Sequence, residues 1–274
     1  MSTPQHDVDL VPTWHEVVRP DATISYLDSG GPGLPVILLH GLVGYAGEWL
    51  CTMRHLFPRY RSLALDQRGH GRSTRRPGDV SREAFADDVA AVCETAAINQ
   101  PVVLIGQSMG ACTAMFTTAR HPQLVSHLVM IEGDVGGGGN EALASLRDAL
   151  AAWPVPFPDY AHAMAFFGGD NERGRTWADG FELRHDGLWP RWDLDIMIQA
   201  MEPIHTYEAW SEWQALQQPT LLVLGEHGWI DPERVDHMLA VRPAVRRVMI
   251  AGAGHDVHLD QSQAWLRALD AFLG

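Results

Sequence analysis

Cysteine is scarce in this sequence. Cys51, Cys93 and Cys112 lie far apart and are odd in number, which argues against a disulfide framework and suits a reducing compartment. No C-x-x-C pair occurs, so a structural zinc site is not expected. Long apolar runs are also missing. No stretch approaches the ~18 continuous apolar residues of a membrane span. The first residues, Met1 to Trp14, are polar and hold Pro4, Asp7, Asp9 and Pro12, with no apolar leader core. Positive charge is in short supply too: 20 Lys+Arg against 34 Asp+Glu leave a net charge of −14. That field repels a phosphate backbone, and Arg75-Arg76 is only a pair, so nucleic acid is not an expected partner. No repeat at a fixed period is visible. A cytoplasmic protein with no membrane partner is the expectation.

What is present is a rhythm. Short apolar runs recur at Val36-Ile-Leu-Leu39, Ser62-Leu-Ala-Leu65, Val102-Val-Leu-Ile105, Leu128-Val-Met-Ile131, Leu221-Leu-Val-Leu224 and Arg247-Val-Met-Ile250. Each is too short for a helix and is closed by a turn-former or a polar residue. Runs apolar at every position predict strands buried on both faces, as in a parallel sheet covered by helices. Amphipathic segments alternate with them. After Ser81, Phe85, Val89, Val92 and Ala96 fall on one helical face. Met109 to Arg120 and Gln261 to Phe272 read as two further helices. The alternation predicts a doubly wound, mostly parallel α/β sheet. The rhythm breaks after Asp134, at the glycine run 136–139, and resumes at Leu221. Six of the ten tryptophans, Trp153, Trp177, Trp189, Trp192, Trp210 and Trp213, fall in between. This predicts a core of residues 1–134 and 215–274 carrying an inserted helical cap, 135–214.

Gly106-Gln-Ser-Met-Gly110 matches G-x-S-x-G. It follows one strand-like run and opens one helical pattern, the context a nucleophile elbow needs. The sharp turn lifts the Ser108 hydroxyl clear of the sheet, and the Met109 N–H sits at a helix N-terminus where an oxyanion can be met. A serine hydroxyl needs a base. Gly252-Ala-Gly254-His255 follows the last strand-like run, and His255 alone of fourteen histidines has that position. His40-Gly41-Leu42 follows the strand at 36–39 and offers the Leu42 N–H as a second oxyanion donor. Asp66-Gln-Arg-Gly-His-Gly-Arg-Ser73 reads as a structural loop, with Asp66 and Arg68 tying its neighbours.

In this order, these four motifs resemble the signatures of the α/β-hydrolase superfamily over nearly the whole chain outside the cap. The resemblance implies a Ser–His–acid hydrolase without cofactor or metal, acting on a small ester-like molecule. Relatives with an aspartate nucleophile are disfavoured, because position 108 is serine. The family's usual acid lies in a G-x-x-D pattern after the next-to-last strand. Here that stretch is Gly225-Glu-His-Gly228, with glycine in the acid's place. Glu132, at the end of the strand 128–131, is the preferred acid. Asp231 follows, although Asp231-Pro232-Glu233 also fits a helix start, and Glu226 comes last. The tryptophan-rich cap favours a medium-sized, partly apolar ester or lactone. The same triad could serve C–C bond hydrolysis, thioester hydrolysis, acyl transfer or perhydrolysis, and a non-catalytic ligand receptor is a further alternative.

Overall fold

A computed structural model describes residues 10–274. Most of the polar N-terminal segment, and the first nine residues of the expected core, therefore lie outside the described residues. Eight strands form one sheet: β1 (Thr13–Val18), β2 (Thr23–Asp28), β3 (Leu34–Leu39), β4 (Tyr60–Leu65), β5 (Val102–Gln107), β6 (Val125–Ile131), β9 (Thr220–Gly225) and β10 (Arg246–Ile250). Their order is β1-β2-β4-β3-β5-β6-β9-β10. From β4 through β10 the pairs are parallel, while β1–β2 and β2–β4 are antiparallel.

The apolar runs are divided by the two-residue period of a strand between two cores. Ile37, Leu39, Leu104, Met130 and Leu222 point to one face. There they meet Val89 and Val92 of α2 (Arg82–Thr95), Ala114 and Met115 of α3 (Met109–Arg120) and Met238 of α9 (Pro232–Val241). Val36, Leu38, Ile105, Val129 and Val223 point to the other, against Met53 and Leu56 of α1 (Leu50–Leu56) and Trp265 and Leu269 of the C-terminal helix (Ser262–Leu273). The Ser81 hydroxyl caps α2 by accepting from the Ala84 N–H at 3.3 Å. The predicted helix at 109–120 matches α3, and that at 261–272 is displaced by one residue.

Between β6 and β9 come α4 (Gly139–Ala151), α5 (Tyr160–Phe166), α6 (Glu172–Asp179), α7 (Leu194–Thr206) and α8 (Trp210–Ala215). A short hairpin, β7 (Glu182–Arg184) with β8 (Gly187–Trp189), interrupts the helices. Phe157, Phe167, Phe181 and Leu188 build a small aromatic core here, with Trp153 and Trp177 packed against it. Trp213 belongs instead to the sheet's core, where its indole N–H donates to the Met238 carbonyl at 3.0 Å. Among the described residues, no helix is long and apolar enough to cross a membrane.

Candidate active site

Ser108 is the single residue between β5 and α3, with φ 52° and ψ −117°. A non-glycine residue in that region costs of order 1–3 kcal/mol, and the surroundings enforce it. The Ser108 N–H donates to the Ile131 carbonyl at 2.8 Å, and the Ser108 carbonyl accepts from the Ala111 N–H at 2.9 Å. No side chain fits at the two flanking glycines. A Cβ at 106 would lie 2.0 Å from the Gly110 carbonyl oxygen, and one at 110 would lie 2.3 Å from that of Leu39. Strand, turn and helix are thus pressed together, as the motif requires.

The loop after β3 runs directly over this turn: a Cβ at Gly41 would lie 3.3 Å from the Ser108 Cβ. Among the described residues, neither the Leu42 nor the Met109 N–H donates to another protein group. Both residues line the cavity that holds Ser108, so two free donors are available there. His40 braces the loop. Its Nδ1–H donates to the Gly41 carbonyl at 2.7 Å, and Nε2 accepts from the Gln67 N–H at 3.0 Å. One donor and one acceptor make the neutral ring the one that fits, and burial, helped by neighbouring His70, holds its pKa well below the usual value. Asp66 and Arg68 play the structural parts expected. Asp66 accepts from the Ala46 and Arg72 N–H groups at 2.6 and 2.7 Å, and burial raises its pKa to about 6. Arg68 pairs with Asp88 at 2.8 Å.

His70 carries a pH prediction. Burial lowers its pKa to about 4, below the value near 6.5 of an unfolded chain. Its stabilising contribution is therefore present above pH 6.5 and is lost as pH falls towards 4. Between pH 6.5 and 5 the wild type is expected to lose about 1.5 kcal/mol more than a His70→Gln variant. Urea unfolding of both proteins at the two pH values measures this, and equal losses would contradict it.

His255 follows β10 in a tight loop whose Gly252 has φ +70°. The loop is fastened from three sides. The Gly254 N–H donates to Asp260 at 2.9 Å, the His227 N–H donates to the Ala253 carbonyl at 2.8 Å, and the Gln107 side-chain amide donates to the His255 carbonyl at 3.1 Å. Gln107 thus joins the histidine loop to the strand that carries Ser108, a contact its place inside G-x-S-x-G did not reveal.

The carboxylate against His255 is Glu132, with 3.3 Å between Oε2 and Nδ1. Glu132 is 1% exposed and sits at the end of β6 with φ 47°. Its other acceptor sites are used as well: Oε1 accepts from the Gly225 N–H at 2.9 Å and Oε2 from the Trp229 N–H at 2.8 Å. This arrangement explains the glycine at 228. A Cβ there would lie 2.1 Å from Glu132 Oε1, so the space of an aspartate at 228 is filled by the carboxylate from β6. Asp231 caps α9, accepting from the Glu233 N–H at 2.9 Å, and Glu226 accepts from the Gly252 N–H at 2.8 Å. Neither touches His255 or lines the cavity.

Ser108, His255, Glu132, Leu42 and Met109 all line one cavity of about 520 Å³. Its outer walls come from α4 through α7: Leu146, Leu150, Trp153, Phe166, Trp177 and Ile204 make them apolar. Of the six tryptophans between residues 135 and 214, Trp153 and Trp177 face the cavity. One wall is polar. There Asp256 accepts from Arg173 Nε and from the Trp177 indole N–H, both at 3.0 Å, tying α6 to the loop of His255. Glu48 lies on the same wall, its carboxyl pushed up by burial and 3.4 Å from His258, which stacks on Trp49. Among the described residues, no group of three or more His, Cys, Asp or Glu side chains is arranged to hold a metal.

Residues 35–262 match the family model described as alpha/beta hydrolase fold, and the chain belongs to that family. It is a hydrolase. N-formylmaleamate deformylase from Pseudomonas putida is 28% identical over 257 residues, covering 90% of this chain and 91% of the relative. Esterase YbfF from Escherichia coli is 27% identical over 245 residues, covering 87% and 92%. The crystal structure of E-2-(acetamidomethylene)succinate hydrolase shares the fold at a TM-score of 0.86 and 24% identity, covering 96% of this chain and 99% of that one.

Proposed function

We propose that this hydrolase cleaves a carboxylic ester or lactone of a medium-sized, partly apolar small molecule through an acyl-enzyme on Ser108. The observation that carries the reading is the joint placement of Ser108, the Glu132–His255 pair and two unspent backbone donors around one largely apolar cavity. His255 takes the hydroxyl proton as Ser108 Oγ attacks the carbonyl carbon. Glu132 accepts the Nδ1–H bond, keeps the ring in that tautomer and stabilises the imidazolium. The Leu42 and Met109 N–H groups hold the oxyanion, each donor being worth roughly 3 kcal/mol. The leaving alkoxide takes the proton from His255. Water, deprotonated by the same ring, then releases the acid. The sequence of steps calls for no cofactor, metal, nucleic acid or membrane, and the cytoplasm is the proposed compartment.

A second reading keeps the same steps and breaks a C–N bond of a formamide or acetamide. It is favoured by the deformylase among the relatives. Turnover of p-nitrophenyl acetate, butyrate and octanoate, of p-nitrophenyl hydrogen succinate, and of matched N-formyl and N-acetyl anilides separates the readings. We expect kcat/KM for the butyrate to exceed that for the succinate by at least about tenfold, since carboxylates outnumber cations along the cavity wall. Equal turnover of the two would remove the apolar assignment. Anilides cleaved faster than every ester would favour the second reading.

A further inference from the structure

Trp229 is out of place by the ordinary rules of burial. It is 76% exposed, so it contributes little apolar burial to the fold. Its indole nevertheless lies flat on the ring of His255, with centroids 3.9 Å apart and planes 9° from parallel. Its backbone N–H donates to Glu132 Oε2 at 2.8 Å. One residue therefore touches both partners of the ion pair: the main chain holds the acid, and the side chain covers one face of the base. Both imidazole nitrogens lie on the ring's edge. A face stack leaves Nδ1 for Glu132 and Nε2 for the serine proton. An indole face attracts a cation more strongly than a neutral ring, so this contact strengthens when His255 becomes charged. Interactions that grow along the reaction path lower its barrier, whereas those made equally throughout do not.

We propose that Trp229 is a positioning residue of the reaction. Its indole fixes the plane of the His255 ring and stabilises the imidazolium that forms as Ser108 attacks. The inference rests on the Ser108 acyl-enzyme reading.

The test compares Trp229→Ala, Trp229→Leu and Trp229→Phe by p-nitrophenyl acetate turnover and by the rate at which a fluorophosphonate labels Ser108. All three variants keep the backbone N–H, and the exposure of the side chain predicts unchanged unfolding midpoints. The Ala and Leu variants are expected to lose about tenfold in kcat and in labelling rate, with KM within about twofold of wild type. The Phe variant should recover most of the loss, because a phenyl face offers the same kind of contact. Leu matching Phe would reduce the indole to filler and overturn the proposal. So would a loss confined to KM, which would make Trp229 a substrate contact, and so would wild-type rates in the Ala variant. Wild-type protein that resists labelling would overturn the Ser108 reading and this inference with it. Labelled wild type with indifferent variants would overturn this inference alone.

Discussion

Replacing Ser108 by alanine is expected to lower kcat by at least about 10⁴-fold while leaving the unfolding midpoint within error of wild type. The size of the loss follows from the role: without the nucleophile no acyl-enzyme forms, and only binding and the oxyanion donors remain. The absence of a stability effect follows from the local structure. Ser108 stands at the N-cap position of α3, but its side chain makes no capping hydrogen bond. Its strained φ of 52° is held by the backbone bonds to Ile131 and Ala111, which alanine keeps. A folded alanine variant with near-normal ester turnover would remove Ser108 from the chemistry.

The second large effect concerns the acid. Glu132→Gln is expected to cost about 10⁴-fold in kcat, the size of loss seen when a triad acid is neutralised. The buried carboxylate accepts from Gly225, Trp229 and His255, and an amide must turn its NH₂ towards one of those donors. Gly228→Asp alone should also inactivate, since its Cβ would lie 2.1 Å from the Glu132 carboxylate and a second buried negative charge would follow. The combined variant, Glu132→Gly with Gly228→Asp, removes that clash. It places glycine where φ is 47° and restores the acid to the G-x-x-D position. We expect it to regain at least about tenfold over Glu132→Gln. Near-normal kinetics of Glu132→Gln, with Asp231→Asn or Glu226→Gln inactive instead, would contradict the assignment.

Much of the fold was legible because a strand buried on both faces leaves an uninterrupted apolar run, and each of the six apolar runs is a strand of the sheet. The run at 247–250 departs from the expected burial, since β10 is the sheet's other edge and leaves Met249 56% exposed. β1 and β2 left no such mark. Their sequences, Thr13-Trp-His-Glu-Val-Val18 and Thr23-Ile-Ser-Tyr-Leu-Asp28, mix polar with apolar residues, and β1 is an exposed edge. The hairpin β7–β8 has three residues per strand, too few for any periodicity. Ser108 and His255 could be located because chain order and glycine placement mark both turns. Which carboxylate lies against His255 could not be read from the sequence, since that contact joins residues 132 and 255, 123 positions apart. Gly228 was the available clue: a glycine in an acid's place points to a neighbour that fills the space. The contacts of Gln107 and Trp229 with His255 form only in the folded chain, and no local pattern distinguishes these residues.

The most direct measurement is peptide mapping by mass spectrometry after incubating the folded protein with a fluorophosphonate, in parallel with Ser108→Ala and His255→Ala. One adduct is expected, on Ser108, absent from the Ser108→Ala variant and forming at least about 10³-fold more slowly without His255. An unmodified wild-type protein, an adduct on another serine, or undiminished labelling without His255 would contradict it.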